Sequence, residues 1–229
     1  MKLWLPLFLS LSAVCFSQNA EPLHRHYPLP PRVDPISLAA NQWSWTAYQG
    51  FAPPLTNDAT GALTFEFPVI PDFVVGTDQG SVNYLEAVRA EPLPDGGWLS
   101  ITLEVIPTGP VVFNYDNEPG NTCIFDAHAR PIIDTGGNGQ YDRWWSNPIG
   151  YDLTTGGTVT LTIPLAPDHW SSVFGQLGNA NAQAETGFTA ALQNVQFLGL
   201  TFGGGCFFGH GVSVSGGTAE FRVINFLIL

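Results

Sequence analysis

Lysine is almost missing from this chain. Lys2 is the only one in 229 residues, and six Arg stand against nineteen Asp and Glu, for a net charge of -12. Nucleic acids and anionic membranes are bound through Lys and Arg, so neither partner suits this composition. Charge of either sign is scarce: charged residues make up 11% of the chain, where a soluble domain usually has about a quarter. No Asn-x-Ser/Thr sequon occurs, and nothing suggests N-glycosylation. The G-x-S-x-G turn of a serine hydrolase is absent, as are the G-x-x-x-x-G-K-[ST] phosphate loop, C-x-x-C and D-x-D-x-D. Long helical periodicity is also lacking. The 25 Gly and 19 Pro break the chain too often for long helices or a coiled coil. Aromatic residues, at 13%, are too many for a disordered chain.

What is present begins with an address. Lys2 precedes the apolar run Leu3 to Val14, a charged region followed by a hydrophobic segment of secretory length. Ser17 and Cys15 are small residues at the cleavage positions, so residues 1–17 read as a signal peptide. The run is shorter than the roughly 18–20 apolar residues needed to span a bilayer, and no later run reaches that length. Residues 18–40 carry Pro22, Pro28, Pro30, Pro31 and Pro35 and read as an extended, Pro-rich lead-in. The expected product is an acidic protein secreted to the extracellular space or periplasm. Cys123 and Cys206 remain after cleavage, and two Cys in an oxidising compartment most often pair. Their disulfide would contribute roughly 4 kcal/mol in the chain-entropy model.

From residue 41 to 229 the hydrophobic pattern has period two. Leu63, Phe65 and Phe67 alternate with polar residues, as do Leu99, Ile101, Leu103 and Val105, and Val159, Leu161 and Ile163. These are half-buried strands with Thr-rich outer faces. Val195 to Phe202 and Ala219 to Leu229 are apolar on both faces and belong in central positions. Gly-rich turns separate the strands, and Glu185 to Asn194 reads as a short helix. The pattern predicts an all-β fold: a single antiparallel sandwich of the jelly-roll kind, with eight to ten strands and one or two short helices.

The densest polar and aromatic cluster is Tyr141-Asp142-Arg143-Trp144-Trp145. A sugar ring needs a flat aromatic surface for its apolar face and planar polar groups for its hydroxyls, and this segment supplies both. On a strand the two Trp point to opposite faces. Either both Trp are core and Arg143 pairs with a nearby acid, or Trp145 is core and Trp144 is the contact. Tyr115 and Asp116 form a second such set. The Gly-flanked loop Gly203 to Gly211 holds Cys206, Phe207, Phe208 and His210. It reads either as a disulfide-anchored packing loop or as a wall that brings His210 into a cleft. No catalytic nucleophile is indicated. Glu66, Glu86 and Glu104 are outward carboxylates on strands, and Asp126 and His128 share a face. Side-chain oxygens are plentiful enough for a structural calcium, with no loop motif to fix one.

The alternating strands, the Trp144-Trp145 segment, the strand Val195-Gln196-Phe197-Leu198-Gly199-Leu200 and the closing strand Gly217 to Val223 resemble galactose-binding-like jelly rolls, among which are many carbohydrate-binding modules. The Ile-Asp-Asp ending common in those modules is absent, and Asn225 stands in its place. The resemblance implies glycan binding. The expectation is an exported, non-catalytic, lectin-like protein with a carbohydrate or cell-surface glycan as partner. Its contacts would come from Tyr115, Asp116, Tyr141, Asp142, Arg143, Trp144 and His210. A structural or surface-assembly role, and a glycan hydrolase or lyase on the same scaffold, are the alternatives.

Overall fold

A computed structural model describes residues 33–46, 52–72, 81–116, 123 and 125–229. The expected signal segment and most of the lead-in lie outside the described residues. The strands in chain order are β1 (Asp34–Pro35), β2 (Trp43–Trp45), β3 (Thr56–Asn57), β4 (Leu63–Glu66), β5 (Tyr84–Val88), β6 (Trp98–Thr108) and β7 (Val112–Tyr115). They continue as β8 (His128–Asp134), β9 (Arg143–Ser146), β10 (Tyr151–Asp152), β11 (Gly157–Pro164), β12 (Trp170–Ser172), β13 (Phe197–Gly203), β14 (Val212–Ser215) and β15 (Thr218–Ile228). The helix α1 (Ala182–Gln193) lies between β12 and β13. The count exceeds ten because several strands are only two or three residues long, too short for alternation to show. Within the span read as a lead-in, β1 pairs with β15.

Two antiparallel sheets form the sandwich. Sheet A runs β11-β6-β15-β4-β3, with β1 also on β15; sheet B runs β12-β9-β8-β13-β5-β2, with β10 also on β8. The chain crosses between the sheets repeatedly, from β4 to β5 to β6 and from β10 to β11 to β12. A small third sheet pairs β14 with β7. As their apolar composition implies, β13 and β15 are central strands.

The core lies between the sheets. Sheet A contributes Leu63, Phe65, Leu99, Ile101, Leu103, Val105 and Phe221; sheet B contributes Trp43, Leu85, Ile133, Trp144, Leu198, Leu200 and Phe202. Phe65, Phe202 and Phe221 meet with centroids 5.1 to 5.5 Å apart, the range favoured by aromatic pairs. In β15, Ala219, Phe221 and Val223 are buried, and then Phe226 and Ile228. The switch from odd to even positions is made by a register shift between Val223 and Asn225. One extra residue there keeps both halves of an 11-residue strand on the core.

The outer face of sheet A is closed by polar pairing. Arg222 meets Glu104 across the β6–β15 pair at 2.6 Å, with Asp58 and Glu220 beside it. Thr102 and Thr160 share a hydrogen bond of 3.0 Å. Helix α1 is capped by Asn181, whose side chain accepts from the Ala184 N–H at 2.9 Å. Its apolar stripe, Ala184, Phe188, Ala191 and Leu192, is buried.

Trp144 is not the ligand contact expected from the sequence. It is fully buried. Its indole N–H donates to the Tyr141 carbonyl at 2.9 Å, and its ring meets Phe188 edge-on at 5.2 Å. Strand parity is the reason: in β9, Arg143 and Trp145 face outward, which turns Trp144 inward beneath α1. Trp144→Ala should therefore destabilise the protein by about 3–5 kcal/mol, the range for truncating a buried aromatic. Urea unfolding measures this, and a loss below about 1 kcal/mol would contradict the core placement.

Candidate functional site

The outward face of sheet B carries an unusual set of side chains. Tyr84 and Glu86 on β5, His128, Arg130, Ile132 and Asp134 on β8, and Arg143 and Trp145 on β9 all turn away from the core. Their partners along each strand, such as Leu85, Ile133 and Trp144, turn inward. Tyr84, Ile132 and Trp145 form a second, smaller apolar cluster, joined by Val173 and Phe208.

The loop after β13 folds back over this face. A side chain at Gly203 would meet the Phe207 carbonyl at 2.0 Å, and one at Gly209 would meet the Tyr84 hydroxyl at 2.5 Å. Only glycine lets the loop lie this close. The Cys123–Cys206 disulfide ties the loop to the segment entering β8, and Gly205 N–H donates to the Phe125 carbonyl at 2.7 Å. Phe208 and Phe125 then cover the Arg130 guanidinium from 4.1 and 4.7 Å. The Arg130 Nη1 donates to the carbonyls of Ser146 and Pro148 at 2.8 and 2.9 Å.

Between loop, sheet and the turn at 173–175 lies a cleft of about 600 Å³, lined by Tyr84, Phe125, Arg143, Trp145, Phe174, Phe208 and His210 among others. Phe174 stands at its edge, 77% exposed. A second cavity of about 250 Å³, lined by Thr46, Glu86, Asp134 and Phe197, shares Tyr84 and Arg143 with the first. Together they make one groove across the strands, aromatic at one end and acidic at the other.

Burial sets the electrostatics. Glu86 is 2% exposed. Desolvation pushes its carboxyl up to about 7, helped by the nearby Asp134 and opposed by the Thr46 hydroxyl and by Arg143. Thr46 donates to Oε2 of Glu86, while Oε1 has no hydrogen-bond partner among the described residues. Burial also raises Asp134, whose carboxylate accepts the Gly136 N–H at 2.6 Å. His128 is held neutral: burial, and then the charge of Arg130, lower it to about 3. Its Nδ1–H donates to the Asp126 carbonyl at 2.8 Å. Among the described residues, no group of three or more His, Cys, Asp or Glu could hold a metal ion.

The residues singled out from the sequence divide into three places. Arg143 and His210 line the groove, and Asp116 stands behind His210 at 3.7 Å. Tyr115 is half-buried against Gly204, where a side chain would meet its ring at 2.1 Å. Tyr141 and Asp142 lie beside α1, in a cavity of about 730 Å³ that shares Gly137 and Phe197 with the acidic end of the groove. There Tyr141 stacks on Trp144 at 5.7 Å and Asp142 accepts the Gly139 N–H at 2.5 Å. The disulfide is formed as expected.

Sequence reading missed Asp134, Tyr84, Phe174 and the outward role of Trp145. Glu86 was visible only as an outward carboxylate. Parity within β9 would have exchanged the two Trp, had Arg143 been given the outward position its charge favours. Nothing local to Glu86 signals its burial, which depends on Thr46 and β13.

No protein-family model matches the sequence, and no curated protein matches it. Among solved structures, the chain is similar to a xylan-binding module, CBM15, at 10% sequence identity and a TM-score of 0.40, with 84% of this chain and 96% of that one covered.

The raised Glu86 carboxyl makes stability depend on pH. Its folded value lies above the unfolded one near 4.5, so its contribution is fully present below about pH 4.5 and is lost as pH rises through 7. The loss amounts to about 3 kcal/mol. Burial raises Asp134 as well, while Tyr84 and His128 titrate outside this range, so the difference between wild type and Glu86→Gln isolates the effect. The variant should gain about 3 kcal/mol relative to wild type between pH 4 and pH 8, read from urea unfolding. Parallel pH curves would contradict the burial of an ionisable Glu86.

Proposed function

We propose that this chain is a carbohydrate-binding protein whose ligand lies in the groove on the outer face of sheet B. The observation that supports the reading best is the juxtaposition along one groove of aromatic rings and polar groups. Phe174, Phe207 and Phe208 line the groove beside Arg143, Asn147 and His210. A sugar has an apolar ring face and a fringe of hydroxyls that both donate and accept. Aromatic surfaces take the first, and planar or charged side chains take the second. An apolar ligand would leave Arg143 and Glu86 unused, and a polyanion would meet Asp134 and Glu86.

An exported protein fits this reading. The disulfide belongs to an oxidising compartment. No helix among the described residues is long and apolar enough to cross a membrane. The ligand contacts in this proposal are Phe174, Phe208, Arg143 and His210, with Asp116 orienting His210.

A panel of soluble polysaccharides, read by affinity electrophoresis and tryptophan fluorescence, tests the proposal. Saturable binding to at least one polysaccharide is expected. Phe174→Ala and Arg143→Ala should each weaken it at least tenfold, about 1.4 kcal/mol, without lowering the thermal midpoint. Binding left intact by both substitutions would place the ligand elsewhere, and no binding across the panel would sink the reading.

A further inference from the structure

The acidic end of the groove has more than a binding site requires. Glu86 and Asp134 face one cavity from two strands, β5 and β8, with β13 between them. Glu86 pairs in register with Gly199, and Asp134 with Phe197. A side chain at Gly199 would meet the Leu85 carbonyl at 2.1 Å and the Glu86 Cα and Cγ at 2.8 and 3.0 Å. The Glu86 carboxyl is held by Thr46 at the end of β2, and Asp134 lines the same cavity from β8. Four buried polar atoms on this groove lack hydrogen-bond partners among the described residues: Oε1 of Glu86, Nε of Arg143, Oγ of Ser172 and the indole N–H of Trp145, a residue 6% exposed in the adjoining cleft. Arg143 lies between the two halves and reaches both cavities.

We infer that the Glu86 end of the groove hydrolyses a glycosidic bond of the bound polysaccharide, with Glu86 as general acid and Asp134 as general base. The inference rests on the glycan reading of the groove given above. Thr46 donates to Oε2, so the proton of a neutral Glu86 sits on Oε1, the oxygen without a hydrogen-bond partner among the described residues. That proton passes to the glycosidic oxygen as its bond to the anomeric carbon breaks. A water attacks the anomeric carbon from the opposite face and gives a proton to the Asp134 carboxylate. One water is consumed, two sugar ends are released, and the two carboxyls recover their states by exchange with solvent. Strand spacing of about 4.8 Å, and an offset of two residues, put the two Cα atoms roughly 12 Å apart. A pair set two strands apart suits the wider separation of inverting enzymes, roughly 6.5–9.5 Å, better than the ~5–5.5 Å of retaining ones. Burial of Glu86 supplies an acid that is still protonated near neutral pH.

The test incubates wild type, Glu86→Gln and Asp134→Asn with the polysaccharide that the protein retains most strongly in electrophoresis. Released reducing ends are counted, and proton NMR reads the anomer formed first. Wild type should release reducing ends of inverted configuration. Activity should fall above about pH 7 as Glu86 ionises, with Asp134, Arg143 and Tyr84 the titratable and charged groups that face it. Each variant should lose at least 100-fold in rate while its affinity stays within threefold. Asp134 is more exposed than Glu86, so Asp134→Asn keeps the test decisive if Glu86→Gln disturbs folding. A polysaccharide bound but left uncut overturns the hydrolytic role and leaves the binding reading standing. Cutting that both variants retain also overturns it. No binding and no cutting removes both.

Discussion

Arg130 has almost no water around its guanidinium, and the groove is assembled around that fact. A buried cation is costly unless its charge and its N–H groups are met. Here two backbone carbonyls take Nη1, and two phenyl rings cover the faces. Each partner comes from a different place: Ser146 and Pro148 from the end of β9 and the turn beyond, Phe125 from the segment entering β8, Phe208 from the loop after β13. One side chain therefore sets the relation of three irregular segments that no sheet hydrogen bonds could fix. Its charge also helps to keep His128 neutral. The disulfide holds the same loop to the same lead-in, so covalent and electrostatic restraints act on one contact.

The two sheets use their outer faces differently. On sheet A, Arg222 is shared among three carboxylates and the threonines pair with one another. Those groups pair with one another and leave only the Nε of Arg222 without a hydrogen-bond partner among the described residues. On sheet B, the equivalent positions hold Glu86, Arg143 and Trp145, each with a buried atom that finds no partner among the described residues. A covering loop and a second apolar cluster exclude water there without completing the polar contacts. That asymmetry places the groove on sheet B.

Alternation in the sequence made most long strands legible, including β4, β6 and β11, because one face of each is wet. The two-sided apolar runs located β13 and β15 in the sheet centres. Two-residue strands such as β1 and β10 carry no pattern and are visible only through their partners. The groove was harder to read. The sequence marked the loop with Phe207, Phe208 and His210 as unusual, and marked Arg143. It could not reveal that Asp134 and Glu86 meet at one cavity, since 48 positions separate them in the chain. Nor did composition tell which Trp of the pair turns outward, because both are equally apolar. The choice is made by Arg143 and by the helix that covers Trp144.

The disposition of the basic residues has a consequence for attack by trypsin-like proteases. Trypsin-like enzymes cut after Lys or Arg in segments that can be drawn out as extended, unpaired chain. The described residues contain no Lys and only Arg89, Arg130, Arg143 and Arg222. The last three lie within sheet strands, and Arg89 follows β5 directly and is bound to Asp34 at 3.1 Å. Every such cleavage point is thus locked in or beside a ladder, so digestion of this region by that class of protease has to wait for unfolding.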